Sequence, residues 1–150
     1  MLVKDVMTRD VRTAKKEDSV RSVAAVICTN KISGLPVVEE GNKLVGLISE
    51  KDILNCLLPG YRTFLQGPLK QGDFEAMEES YQGILSKRVE DLMTHRVFSV
   101  SPNDPLLLAA SQMDLHRFRR IPVVEDGDHL VGIISLGDIH KAIFKHELAR

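Results

Sequence analysis

The chain has 150 residues, 43% of them hydrophobic and 27% charged, enough to bury a core of its own. Its formal net charge is -1 and its Lys and Arg are spread along the sequence, which excludes the basic footprint of a nucleic-acid binder. No apolar run approaches the roughly 18 residues that cross a bilayer, and Met1-Leu2-Val3-Lys4-Asp5 lacks an export-signal pattern, so a cytoplasmic protein with no membrane partner is expected.

The chain opens with Asp5-Val6-Met7-Thr8 in an extended segment. Asp18 supplies capping chemistry for a first helix, in which Val20, Val23, Ala24 and Ile27 keep the spacing of one buried face; the helix should end near Asn30. Two short strands follow, over 35–38 and 44–48, around the turn residues Glu40-Gly41-Asn42. A second helix starts at Ser49 and carries Ile53, Leu54 and Leu57. Cys28 and Cys56 fall on apolar helical stretches with no Cys-x-x-Cys spacing, and are expected to be buried structural thiols.

Residues 59–87 interrupt the pattern. Pro59-Gly60, Gly67-Pro68 and Gly72 predict a loop in the first half; Phe74, Met77, Tyr81 and Leu85, flanked by Glu75, Glu78 and Glu79, predict one amphipathic helix in the second. A packing or dimer-contact role fits this insert better than a lid.

From 88 the first pattern returns. Pro122 minus Pro36, Met93 minus Met7 and Asp138 minus Asp52 all give 86. Asp91-Leu92-Met93-Thr94 is the second opening, and Asn103-Asp104-Pro105 precedes a helix with Pro105 at its first position. Leu106, Ala109, Ala110 and Met113 form the apolar face of that helix, which should end near His116. Strands over 121–124 and 130–134 flank Asp126-Gly127-Asp128, and a last helix from Ser135 carries Ile139, Ala142 and Ile143. The chain thus divides into repeat one (2–58), the insert (59–87) and repeat two (88–146). Each repeat is too small to be stable alone, so the two should pack together.

Gly46-Leu47-Ile48-Ser49-Glu50-Lys51-Asp52 recurs as Gly132-Ile133-Ile134-Ser135-Leu136-Gly137-Asp138. Ser-x-x-Asp after a strand is a capping-box variant, in which Ser and acid satisfy free N-H groups at the helix start. The same geometry suits a nucleotide: free N-H groups and the helix dipole favour phosphate, the Ser hydroxyl adds a donor, and a carboxylate one turn on accepts ribose hydroxyls. Gly46 and Gly132 would allow close approach of a ligand. Lys51, replaced by Gly137 in the copy, reads as a surface charge. The five histidines lack the spacing of a metal site, and no nucleophile-elbow sequence arranges a catalytic triad, so no metal and no catalytic residue is expected.

The acidic-apolar-Met-Thr opening, the apolar-Pro-Val-Val strand and the Gly-apolar-apolar-Ser-x-x-Asp element, each present twice in register, resemble the CBS domain, named after cystathionine β-synthase. The resemblance covers about residues 2–58 and 88–146. It implies an α+β (α/β) fold in which two repeats, each a small sheet with two helices, pack about a pseudo-twofold axis as a Bateman module. It further implies a stand-alone regulatory sensor of AMP, ADP or ATP, with S-adenosylmethionine behind them, bound in two clefts between the repeats and signalling to a regulated protein that the sequence does not name.

Carried over by resemblance, site A combines Ile48, Ser49 and Asp52 with Thr94, Val97, Phe98 and Ser99 and with Arg119, Arg120 and Ile121. Site B combines Ile134, Ser135 and Asp138 with Thr8, Val11, Arg12 and Thr13 and with Ile32, Ser33 and Leu35. Each adenine would lie against the opening segment of the opposite repeat. Arg119 and Arg120 would make site A the better phosphate binder, although a solvated surface pair is an alternative reading. A homodimer is also implied, with Val26, Ile53, Leu107 and Ile139 as candidate contacts. The competing reading is a structural dimerisation or interaction module with vestigial sites; an enzyme such as IMP dehydrogenase, where similar modules sit in a catalytic barrel, leaves no room for its barrel here.

Overall fold

The computed structural model describes residues 1–150, apart from the side chains of Tyr61 and Phe64. Its elements are a 3-10 turn Val3–Asp5, α1 Val20–Asn30, β1 Gly34–Glu39, β2 Lys43–Ser49, α2 Glu50–Asn55, α3 Tyr61–Leu65, α4 Gln71–Glu79, α5 Tyr81–Leu85, α6 Val89–Leu92, α7 Leu106–His116, β3 Arg120–Glu125, β4 His129–Ser135 and α8 Leu136–Leu148. This is the α+β class that the repeats imply. The chain forms two compact units, the first of residues 1–12, 38–45 and 96–150, the second of 13–37 and 46–95. Neither unit is one repeat: each joins the opening segment of one repeat to the body of the other.

In the first unit, α7 and α8 pack beside β3 and β4 around a core of Val3, Met7, Val100, Leu106, Ala109, Met113, Ile121, Val123, Ile134 and Ile139. Each large aliphatic side chain removed from water there contributes about 1.5–3 kcal/mol. β3 and β4 are antiparallel with Ile121 opposite Ile134 and Val123 opposite Gly132. Three residues, Asp126-Gly127-Asp128, connect the paired Glu125 and His129, and Gly127 and Asp128 both take positive φ, 72° and 64°, to close this short turn. The tip of the first hairpin joins here, Lys43 pairing with His129, so that the strand order is β1-β2-β4-β3. Asn42 Nδ2 donates to the Leu130 carbonyl at 2.7 Å and strengthens that seam.

The second unit buries Val20, Val23, Ala24 and Ile27 on one face of α1, the four residues whose spacing predicted it. Ile53, Ile84, Leu85, Val89 and Met93 are buried in the same unit. The opening segments are clasped by equivalent bonds in both units. Val3 N-H donates to the Asp104 carbonyl at 2.9 Å and Lys4 N-H to that of Pro102 at 2.9 Å; 86 residues on, Val89 donates to Asp18 at 2.8 Å and Glu90 to Lys16 at 3.0 Å. The acid of each opening caps its first turn, Asp5 accepting from Leu2 N-H and Asp91 from Arg88 N-H.

Several local expectations need correction. Ser19, not Asp18, caps α1 by accepting from Ser22 N-H, while Asp18 closes a turn on Lys15 N-H at 2.9 Å. Pro105 occupies the cap position of α7 and Leu106 is its first helical residue. Asp104 repeats the role of Asp18 by accepting from Ser101 N-H. The insert is more helical and more broken than expected: α3 lies within the predicted loop, and the single predicted helix is split between α4 and α5 around Ser80, whose hydroxyl donates to the Met77 carbonyl at 2.6 Å. Phe74 is exposed, and the buried residues are Ile84 and Leu85. Cys28 and Cys56 are both exposed, because they lie off the buried faces of α1 and α2.

Candidate functional site

Each Ser-x-x-Asp element sits where the second strand of a hairpin runs into a helix, and the two differ in how far their polar groups are engaged. In the second unit the capping box is complete. Ser49 Oγ accepts from Asp52 N-H at 3.2 Å, and Asp52 Oδ2 accepts from Ser49 N-H at 2.9 Å and from the Ser49 hydroxyl at 3.0 Å. The other carboxylate oxygen, Oδ1, faces the Thr94 hydroxyl at 3.4 Å. In the first unit only half of the box forms: Ser135 Oγ accepts from Asp138 N-H at 3.1 Å. Among the described residues no hydrogen bond reaches the Asp138 carboxylate, which is half-buried.

The Thr of each opening segment is seated on the neighbouring strand by a reciprocal backbone pair. Thr8 and Ile133 exchange bonds of 2.9 and 2.9 Å in the first unit; Leu47 and Thr94 exchange bonds of 3.0 and 2.8 Å in the second. The glycines of the repeated heptapeptide explain this approach. A Cβ on Gly132 would lie 2.8 Å from Met7 Sδ and 2.9 Å from the Thr8 carbonyl, and one on Gly46 would lie 2.9 Å from the Thr94 carbonyl. The space that these glycines keep open is therefore filled by the opening segments, not by a ligand as the motif first suggests.

Of the residues expected at site A, Ile48, Ser49, Asp52 and Thr94 lie in the second unit, while Val97, Phe98, Ser99, Arg119, Arg120 and Ile121 lie in the first. Of those expected at site B, Thr8, Val11, Arg12, Ile134, Ser135 and Asp138 lie in the first unit, and Thr13, Ile32, Ser33 and Leu35 in the second. Contacts within the units regroup the residues that precede each first strand. The Arg119 carbonyl accepts from Leu136 N-H at 2.9 Å, and Arg120 pairs with Ser135. The Ser33 carbonyl likewise accepts from Glu50 N-H at 2.8 Å. A hairpin lays the start of its first strand beside the end of its second, so these residues adjoin the Ser-x-x-Asp of their own repeat. The backbone at Arg119 and Arg120 thus adjoins Ser135 and Leu136, and that at Ser33 adjoins Glu50, each at the start of the helix that carries the Asp of its own repeat.

Both arginines are exposed and have no ion pair among the described residues. Leu35, Ile48, Ile121 and Ile134 are buried and serve the core with their side chains. Phe98 stacks on His116, ring centroids 3.8 Å apart, with Phe118 at 6.0 Å and the Arg96 guanidinium 5.7 Å from its ring. Sequence reasoning singled out Phe98 but missed this cluster, because its members come from two separate segments, 96–98 and 116–118, with no shared periodicity.

Chemically, the first unit offers a carboxylate without a hydrogen bond among the described residues, a helix N-terminus with a Ser hydroxyl, and two exposed arginines, Arg119 and Arg120, where β3 begins beside the end of β4. The second unit has the same carboxylate and hydroxyl, already bonded to each other, and no Arg or Lys at 32–35. Among the described residues no helix is long and apolar enough to cross a membrane.

Comparison with known proteins places these features in a family. The chain is 34% identical over 154 residues to the uncharacterized protein MJ1426 of Methanocaldococcus jannaschii, with 95% of this chain and 91% of that one covered. The solved structure of CBSX2, a protein of Arabidopsis thaliana, in complex with AMP superimposes with a TM-score of 0.74 at 28% identity, covering 97% of this chain and 98% of that one. The CBS domain pair of protein MJ0100, in complex with 5′-methylthioadenosine and S-adenosyl-L-methionine, gives 0.70 at 25% identity, again covering 97% and 98%. The chain spans about a quarter of longer curated relatives, such as homoserine O-acetyltransferase of Methanococcoides burtonii, 28% identical over 141 residues that make up 94% of this chain and 24% of that one. The family model for the CBS domain matches residues 3–59 and again 89–145, over the two stretches where the duplicated motifs lie, and the chain is a member of the CBS-domain family, carrying two copies of the domain.

Proposed function

We propose that the chain is a regulatory module that binds an adenosyl ligand, and that its stronger site for a phosphate-bearing ligand lies in the first unit. The observation that carries this reading is that the chain at Arg119 and Arg120 lies against Ser135 and Leu136 at the start of α8, beside an Asp138 carboxylate that no hydrogen bond reaches among the described residues. The carboxylate accepts ribose hydroxyls, and planar guanidinium groups suit bidentate contact with phosphate. AMP, ADP or ATP fit this charge pattern better than S-adenosylmethionine, whose sulfonium would face two further cations. The complexes of CBSX2 with AMP and of MJ0100 with adenosyl compounds support the ligand class. The better phosphate site is accordingly the one at Asp138, not the one at Asp52 that the resemblance implies.

Occupancy acts on a separate cytoplasmic protein by favouring one conformation, which requires that the ligand bind that conformation more tightly than its alternative. A homodimer is part of this reading, and its contacts are revised. Ile53 and Ile139 are buried within the chain and unavailable, whereas Leu107 is 61% exposed on α7 and Val26 half-buried on α1. Leu136, Phe144 and Leu148 add an exposed apolar row along α8.

Thermal unfolding with AMP, ATP and S-adenosylmethionine tests the reading. A ligand that binds only the folded chain at 100 times its Kd stabilises it by about 2.7 kcal/mol. AMP or ATP should raise the midpoint, and S-adenosylmethionine should raise it less. No rise with any of the three would leave the Ser-x-x-Asp pairs as helix caps and favour a purely structural module.

A further inference from the structure

The two units repeat one geometry at an offset of 86 residues, so a difference between them at equivalent atoms is informative. Backbone seating of the opening segments matches: Thr8 on Ile133 and Thr94 on Leu47. The hydroxyls differ. Thr94 Oγ1 lies 3.4 Å from Asp52 Oδ1, while Oδ2 of the same carboxylate takes two bonds from Ser49. Both oxygens of Asp52 are thereby engaged within the protein, and among the described residues those of Asp138 are not.

We infer that Thr94 is an internal competitor for the ligand: its hydroxyl occupies the Asp52 oxygen that a ribose hydroxyl needs and latches the second opening segment shut. This inference rests on the adenosyl reading above and adds regulation to it. A nucleotide entering the second unit must displace the Thr94 hydroxyl from Asp52, whereas one entering the first unit meets an acid with no partner among the described residues. The first unit therefore fills at lower concentration. Filling of the second releases a side chain of the segment that follows the insert, so ligand concentration is converted into two graded responses. Ser49 is not displaced, because its bonds to Asp52 hold the start of α2 in either state.

The test titrates AMP into Asp138→Ala protein by calorimetry, which isolates the second unit, and compares it with the same protein carrying Thr94→Val or Thr94→Ser. Val keeps the shape and removes the hydroxyl; binding should tighten roughly three- to tenfold, the range of one modest hydrogen bond. Ser keeps the hydroxyl and should bind as Thr does. Unchanged or weaker binding in the Val protein overturns the latch. A ligand-free arm separates this from failure of the adenosyl reading: amide hydrogen exchange at Leu47 and Thr94 should be faster in Thr94→Val than in wild type or Thr94→Ser. Equal exchange overturns the latch whatever AMP does. Faster exchange in a protein that leaves AMP unbound upholds the latch and removes the nucleotide from the account.

Discussion

Gly132 and Gly46 show how a single missing atom positions a site. Each faces the carbonyl of a Thr and the sulfur of a Met from an opening segment, closer than a Cβ tolerates. A flexible Met can yield, but the Thr carbonyl is fixed by its reciprocal backbone pair. Gly132→Ala should therefore push the segment around Thr8 off the strand and destabilise the protein by about 1–3 kcal/mol, measurable as a lower midpoint in urea. An alanine at Gly137, where a Cβ would meet nothing nearer than 3.9 Å, should instead leave the midpoint unchanged or raise it. The heptapeptide was legible as a helix-capping and ligand-like motif from its residues alone. What its glycines face was not, because the opening segments arrive from nearly 50 residues away in sequence for Gly46 and over 120 for Gly132.

At the scale of elements, the four strands and the helices α1, α7 and α8 follow from local periodicity, and the buried face of α1 holds the very residues whose spacing predicted it. The insert defeats that reading. Its apolar residues fit a single helical face, but Ser80 bonds back to the preceding turn and the helix restarts at Tyr81, which turns Ile84 and Leu85 inward and leaves Phe74 outside. Hairpin geometry lays the residues before a first strand beside the close of the second, which brings the backbone of Arg119 and Arg120 to Ser135 and Leu136. α7 and α8 pack on one another and still expose Leu107, Leu115, Phe144 and Leu148. Such surface favours association, and a Leu107→Glu, Phe144→Glu protein should sediment as a monomer with its secondary structure intact. A wild-type protein that is monomeric at micromolar concentration would remove this part of the account.

The whole molecule is a duplicated chain whose compact units exchange their opening segments. The two Ser-x-x-Asp elements differ at a few positions. Arg119 and Arg120 occupy the places of Ser33 and Gly34, and Asp138 lacks the bonds that engage Asp52. Family membership follows from both repeats; the proposed inequality of the sites is legible in the sequence at Arg119 and Arg120, and the different bonding of the two acids is not, because both carry the same Ser-x-x-Asp motif.

Calorimetric titration of AMP into wild-type, Asp138→Ala and Asp52→Ala proteins tests this inequality most directly. The tighter binding event should be weakened by about tenfold or more when Asp138 is removed, since each hydrogen bond to a charged acceptor contributes about 1.5–3 kcal/mol, and it should survive removal of Asp52. Equal losses in the two variants, or a loss confined to Asp52→Ala, would contradict the assignment of the principal site to the first unit.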